Sequence, residues 1–156
     1  MQFEHLIAIT DPDNPLVVPL TREQIWNGLL QRVENPLPFL PGLESCAILE
    51  RTSEALLREL DFGPATIRDR VTMAEAQWVC FDIVPSPSSA GGSLTINIEE
   101  PQPGFLFLRF AYRTALASTP DSEERAYLEY VKSAYHHSDV DCVRIIRTLA
   151  TEGTSQ

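Results

Sequence analysis

A chain of 156 residues with 44% hydrophobic and 22% charged content has enough apolar material for one globular domain with a real core. Its formal net charge of -10 argues against a nucleic-acid-binding surface, which needs a basic face for the phosphates. Three widely spaced cysteines (Cys46, Cys80, Cys142) without a C-x-x-C pair argue against a disulfide framework or a zinc site.

No apolar run approaches the roughly 18–20 residues that span a bilayer, and the N-terminus lacks a signal-peptide pattern. A soluble, cytoplasmic protein is the expectation. The first segment, FEHLIAIT, alternates as a strand with Phe3, His5, Ile7 and Ile9 on one face. DPDNPLVVP is turn and extended chain, because its prolines block regular structure. Thr21 then begins a helix over TREQIWNGLLQRV, with T-x-x-Q as a capping box and Ile25, Trp26, Leu29, Leu30 and Val33 at helical spacing. ENPLPFLPG turns the chain.

From Leu43 to Thr114 the period is two. Strands are expected over Leu43–Arg51, Ala55–Asp61, Ala65–Met73, Gln77–Val84, Ser93–Glu99 and Phe105–Thr114, divided by short turn signals. Such close spacing favours an antiparallel meander over βαβ units. Pro85–Gly92 reads as a hairpin loop. From about Asp121 to Ala150 the chain reads as one long helix opened by STPDSEE, with a stripe through Tyr127, Val131, Ala134, Ser138, Cys142, Ile145 and Leu149. Residues 1–150 are then a single domain and 151–156 a disordered tail. The order predicts an α+β fold in which an antiparallel sheet is covered by one long helix, with a ligand space between them.

The strings FEHLIAITDPDNP, PLTREQIWNGLLQR, FLPG, LLRELDFGPATIRDRV, SLTINIEEPQPG, LFLRFAYRT and VKSAYHHSDVDCVRIIRTLA resemble the AtaL-like family. That family belongs to the START-like (SRPBCC) superfamily, with the major birch pollen allergen, lipid-transfer domains and aromatic polyketide cyclases. The resemblance covers roughly Met1 to Ala150. It implies a helix-grip fold around a deep apolar cavity. It does not imply one activity, and it carries no catalytic motif onto particular residues.

The candidate chemistry comes from the residues themselves. Asp69 shares a strand face with Ala65, Ile67, Val71 and Met73, so it is a cavity carboxylate acting as a base, the partner of an arginine on a neighbouring strand, or part of a strand whose Arg face is the inner one. Arg109 poses the same question in FLFLRFAYRT. If Phe105, Phe107 and Ala111 face inward, Arg109 is a buried cation that holds a substrate carboxylate or enolate. If Leu106, Leu108, Phe110 and Tyr112 do, Tyr112 lines the cavity and Arg109 lies outside, at a homodimer contact in one reading.

His5 lies on the apolar face of its strand, as a titrating cavity group or a hydrogen-bonded core residue. Glu99 and Glu100 read as a strand end. AYHHSDVD places His137 four residues before Asp141 and Tyr135 four before Asp139, suited to acid/base work or to a solvated helix face. Trp26, Phe39, Trp78, Tyr127, Tyr130 and Val131 supply apolar surface for a flat ligand or for the core.

These readings make Asp69, His137 and Arg109 the candidate catalytic groups. They make His5, Trp26, Phe39, Trp78, Tyr112, Tyr127, Tyr130 and Val131 the candidate ligand contacts. The expected ligand is a hydrophobic or aromatic small molecule. No nucleotide, phosphate or metal motif is present, so no cofactor is expected. Two functions stay open: a cyclase or dehydratase of secondary metabolism that works by proton transfer on a polyketide-like substrate, or a non-catalytic carrier or sensor.

Overall fold

The computed structural model describes residues 2–87, 89–114 and 122–154, with side chains at 122–124, 127, 128, 153 and 154 left aside. Strand β1 (Gln2–Thr10) leads into helix α1 (Arg22–Glu34). A meander follows: β2 (Ser45–Arg51), β3 (Ala55–Asp61), β4 (Thr66–Ala74), β5 (Trp78–Ile83), β6 (Gly92–Gln102) and β7 (Phe105–Thr114). Helix α2 (Ser122–Thr154) closes the chain. It runs four residues past the end expected at Ala150, into the stretch read as tail. Part of its expected STPDSEE start lies outside the described residues. Among the described residues, no helix is long and apolar enough to cross a membrane.

The strands form one antiparallel sheet in the order β1-β7-β6-β5-β4-β3-β2, so α1 carries the chain from one edge to the other. Period-two burial sets the concave face. Leu56 and Leu60 of β3, Val71 of β4, Val79 and Phe81 of β5, and Leu106, Leu108 and Phe110 of β7 all turn toward the helices. On β7 the bulkier apolar set therefore wins the interior, as area burial requires, and Arg109 is left on the convex face.

Local chemistry fixes the helices. Thr21 Oγ1 accepts from Gln24 N at 3.1 Å and Gln24 Oε1 accepts from Thr21 N at 2.9 Å, completing the capping box. α1 buries Ile25, Trp26, Leu29 and Val33, and α2 buries Cys142, Val143 and Ile146 in the same core. The two helices meet at Gly28, where a Cβ would lie 2.7 Å from an Ile146 methyl group. Only glycine permits that approach. Arg147 ties α2 to the first edge by donating to the carbonyls of Val18, at 2.9 Å, and of Ile9.

Candidate functional site

The concave face carries two charges of opposite sign on neighbouring strands. Arg58 and Asp69 stand directly opposite each other in the β3–β4 register, both pointing inward. Arg58 Nε donates to Asp69 Oδ1 at 2.8 Å and Nη2 to Oδ2 at 2.6 Å, a bidentate pair in the interior. Arg58 Nη1 donates in addition to the carbonyls of Arg32, at 3.2 Å, and Val33, at 3.0 Å. Those carbonyls belong to the last turn of α1, where intrahelical partners run out. The carboxylate in the apolar face thus neutralises an arginine that holds the end of a helix.

Above this pair lies a cavity of about 520 Å³ between the sheet and the first half of α2. Leu40, Leu60, Phe62, Ile67, Ile83 and Leu94 give it an apolar wall, and Val131, Tyr135 and Ser138 cover it from α2. Its polar lining comes from Arg32, Arg58, Asp69 and Tyr112, from Tyr135 and Ser138 of α2, and from Ser93, Arg113 and Thr114 beside Gly92. Gly92 has φ +130, and a Cβ there would meet the Arg113 carbonyl at 2.9 Å. The rim strand can therefore close on β7 only with glycine at this position.

Behind the wall, Asp139 of α2 is fully buried. Its Oδ1 accepts from the Tyr112 hydroxyl, and its Oδ2 accepts from His5 Nδ1 at 2.9 Å. Burial drives the Asp139 carboxyl above its ordinary range, against the lowering effect of Tyr112, His5 and Arg32. Burial also raises the Tyr112 phenol strongly, and the adjacent Asp139 charge and hydrogen bond add to it. The His5 side chain is 16% exposed, so the chain His5–Asp139–Tyr112 runs from near the surface to the cavity. Tyr135 stacks on Tyr112 at 4.4 Å between centroids, and Phe3 stacks on it at 5.1 Å, which fixes the phenol ring.

Arg32 is 7% exposed and lines the cavity, yet its Nη1 has no hydrogen-bond partner. Burial alone would lower this guanidinium. Its neighbours, Cys142 first and then Tyr112 and Asp139, act in the raising direction and outweigh burial. Its Cζ sits 5.4 Å from the Phe81 ring centroid, and that of Arg58 sits 5.1 Å from the same ring.

The other residues singled out in the sequence fall in several places. Trp26 and Phe39 are core residues, and Trp78 is half-buried. Val131 lines the cavity, Tyr130 is 72% exposed, and the Tyr127 side chain lies outside the described residues. His137 is exposed. Arg109 bonds Glu99 from Nε and Nη2, and Glu4 from Nη1 at 2.9 Å. The structure thus joins His5, Tyr112 and Asp139 at one wall and places Asp69 below them. Arg109 and His137 stand elsewhere.

Arg32, Arg58 and the burial of Asp139 were not singled out in the sequence. A signal existed for two of them. Arg32 falls three residues after Leu29 on the α1 stripe, and Arg58 interrupts Leu56 and Leu60 on one strand face.

A family model described as "Acetylaranotin biosynthesis cluster protein L" (AtaL) matches residues 7–153. The chain belongs to the AtaL family. This AtaL-family protein shares its helix-grip fold with solved structures of low sequence identity. The ZhuI aromatase/cyclase from Streptomyces sp. R1128 is 16% identical with a TM-score of 0.66, over 97% of this chain and 93% of that one. The di-domain aromatase/cyclase StfQ of the steffimycin pathway is 16% identical with a TM-score of 0.65, over 99% of this chain and 52% of that one. A START superfamily protein from Mycobacterium smegmatis is 12% identical with a TM-score of 0.63, over 95% and 98%. Among curated protein sequences nothing matches.

Proposed function

We propose that this AtaL-family protein binds a polyketide-like or aromatic molecule in its cavity and catalyses a cofactor-independent cyclisation or dehydration by proton transfer. One observation carries the reading: the hydroxyl of cavity-lining Tyr112 donates to fully buried Asp139, which His5 also holds. Two of the similar structures are aromatase/cyclases, which supports the substrate class.

The raised carboxyl and phenol define what the pair does. A free phenolate is disfavoured, so Tyr112 acts as a conduit rather than as a stored base. Its oxygen takes a proton from an acidic C–H or O–H of the ligand while its own proton passes to Asp139. In the dehydration direction, protonated Asp139 returns the proton through Tyr112 to a departing hydroxyl. His5 keeps the Asp139 carboxylate oriented and couples it to solvent. Asp69, with both oxygens held by Arg58, serves as scaffold in this scheme.

The test is turnover of a synthetic poly-β-keto thioester, followed by mass spectrometry of the cyclised products. The native protein should exceed the rate in buffer. Tyr112→Phe should lower the excess by about 10²-fold or more, in the range of a lost general acid/base. Substrate binding to that variant should stay within about threefold, because the ring remains. Saturable binding with no rate above buffer would replace the enzyme reading by that of a carrier, for which the apolar wall is equally suited.

A further inference from the structure

The described interior holds four charged side chains: Arg32, Arg58, Asp69 and Asp139. Arg58 and Asp69 close on each other through two hydrogen bonds, and Arg58 spends its remaining nitrogen on α1 carbonyls. Both Asp139 oxygens are taken by Tyr112 and His5. Arg32 alone of the four keeps a buried polar atom without a partner, and other parts of the same side chain line the cavity.

Its backbone is fixed, because its own carbonyl is one of the acceptors for Arg58. Its guanidinium is braced over the Phe81 ring. A cation held this firmly, with an idle N–H in a low-dielectric space, selects a ligand atom that brings negative charge. A surface arginine would be hydrated and would select little.

We infer that Arg32 is the ligand-selecting group of the cavity, and that the ligand carries a delocalised oxyanion on an otherwise apolar body. A carboxylate and the enolate of a 1,3-dicarbonyl share that chemistry. The inference deepens the cavity-binding part of the proposed function and rests on it. The net charge of -10 does not oppose it, since exposed charges beyond a Debye length are screened and a buried contact is not. For the enolate, the charge balance closes inside the site. The ligand enters neutral, its C–H proton passes through Tyr112 to the Asp139 carboxylate, and the electron pair left behind becomes the oxyanion opposite Arg32.

Three probes with one ring system separate the sources: 2-naphthoate, 1-(2-naphthyl)butane-1,3-dione and the neutral ketone 2-acetonaphthone. Calorimetry gives affinities, and the ultraviolet band of the enolate shows ionisation of the dione. The two acidic probes should bind about tenfold or more tighter than the ketone, as a charge-assisted hydrogen bond provides. The bound dione should ionise at lower pH than the free one. Arg32→Met should abolish the advantage and leave ketone affinity within about threefold, while Arg32→Lys should retain part of it.

If only one acidic probe gains, that probe names the oxyanion and the inference stands. Equal affinities in the native protein, or an advantage that survives in Arg32→Met, would overturn it while leaving the cavity reading intact. Equal loss of all probes in Arg32→Met would also overturn it, because Arg32 would then only shape the pocket. Failure of every probe, the ketone included, on the native protein would remove the cavity reading itself.

Discussion

At the scale of single residues, Asp139 is the group whose chemistry and stability pull in opposite directions. It is fully buried, and its carboxyl is raised above the unfolded value. A raised carboxyl contributes most to stability below its unfolded pKa, near ~4, where both states are protonated. That contribution is lost as the pH climbs through the folded value and an ionised carboxylate must be kept in the interior. Asp139→Asn removes the ionisation and keeps the shape. Its carbonyl still accepts from Tyr112, and His5 can change tautomer to accept from the amide. Urea unfolding should therefore show the native protein losing stability relative to the variant as the pH rises above the unfolded value near ~4. Turnover by the variant should meanwhile fall as far as for Tyr112→Phe. Parallel stability curves across that range would mean that Asp139 is not held against its own ionisation. A residue kept at such a cost is better explained by a task than by packing.

At the scale of elements, the end of α1 and the β3–β4 pair form one unit. Arg58 joins them with two bonds to Asp69 and two to carbonyls of the last helical turn. Arg58→Met leaves Asp69 as an uncompensated buried charge and should lose about 3–5 kcal/mol in urea unfolding. Arg58→Met combined with Asp69→Leu removes the stranded charge, and well-packed apolar replacements of buried pairs are often neutral. The α1 carbonyls would still lack their donor, at about 1–3 kcal/mol for such a group. The double variant should therefore recover part of the loss and stay about 1–3 kcal/mol below native. Full recovery would show that the tie to α1 contributes nothing. This unit also positions the candidate ligand group, because the held carbonyl is that of Arg32. The double variant should accordingly weaken naphthoate binding even where it folds well.

At the scale of the whole molecule, periodicity made the architecture legible and left the site only half so. Strand β7 shows why: both of its faces carry large apolar residues, and the choice between them depends on which side α2 occupies. Alternation put Asp69 on the apolar face with Ile67 and Val71, and the structure turns that face inward rather than the one with Arg68 and Arg70. Its partner was harder to see, because the pairing of β3 with β4 is a matter of register, with Arg58 opposite Asp69. The union of His5 with Asp139 spans 134 positions of sequence and depends on β1 being the edge nearest α2, which no local pattern encodes. In the same way, i,i+4 spacing pointed to His137 with Asp141, whereas the fold turned Asp139 inward and left His137 outside.

What the fold adds beyond pattern is the unfilled space itself. A sheet that wraps a helix and still leaves about 520 Å³ forgoes the contacts a close-packed interior would supply. Filling it should stabilise the chain and cost it its ligand. Leu94 lines the cavity on β6, directly opposite Tyr112 in the register, so Leu94→Trp extends into the space without touching the Arg58–Asp69 unit. Cavity filling commonly adds about 0.5–2 kcal/mol, or a rise of a few degrees in Tm for a chain this long. Affinity for 2-acetonaphthone should fall at least about tenfold in the same variant, the ring having lost its place. A variant that gained stability and still bound the ketone at native strength would put the ligand elsewhere on the molecule. One that lost stability would show that the space is already shaped by its own side chains. The combination of higher Tm and lost binding is what a cavity maintained for a ligand requires, because only then does the protein give up packing for occupancy.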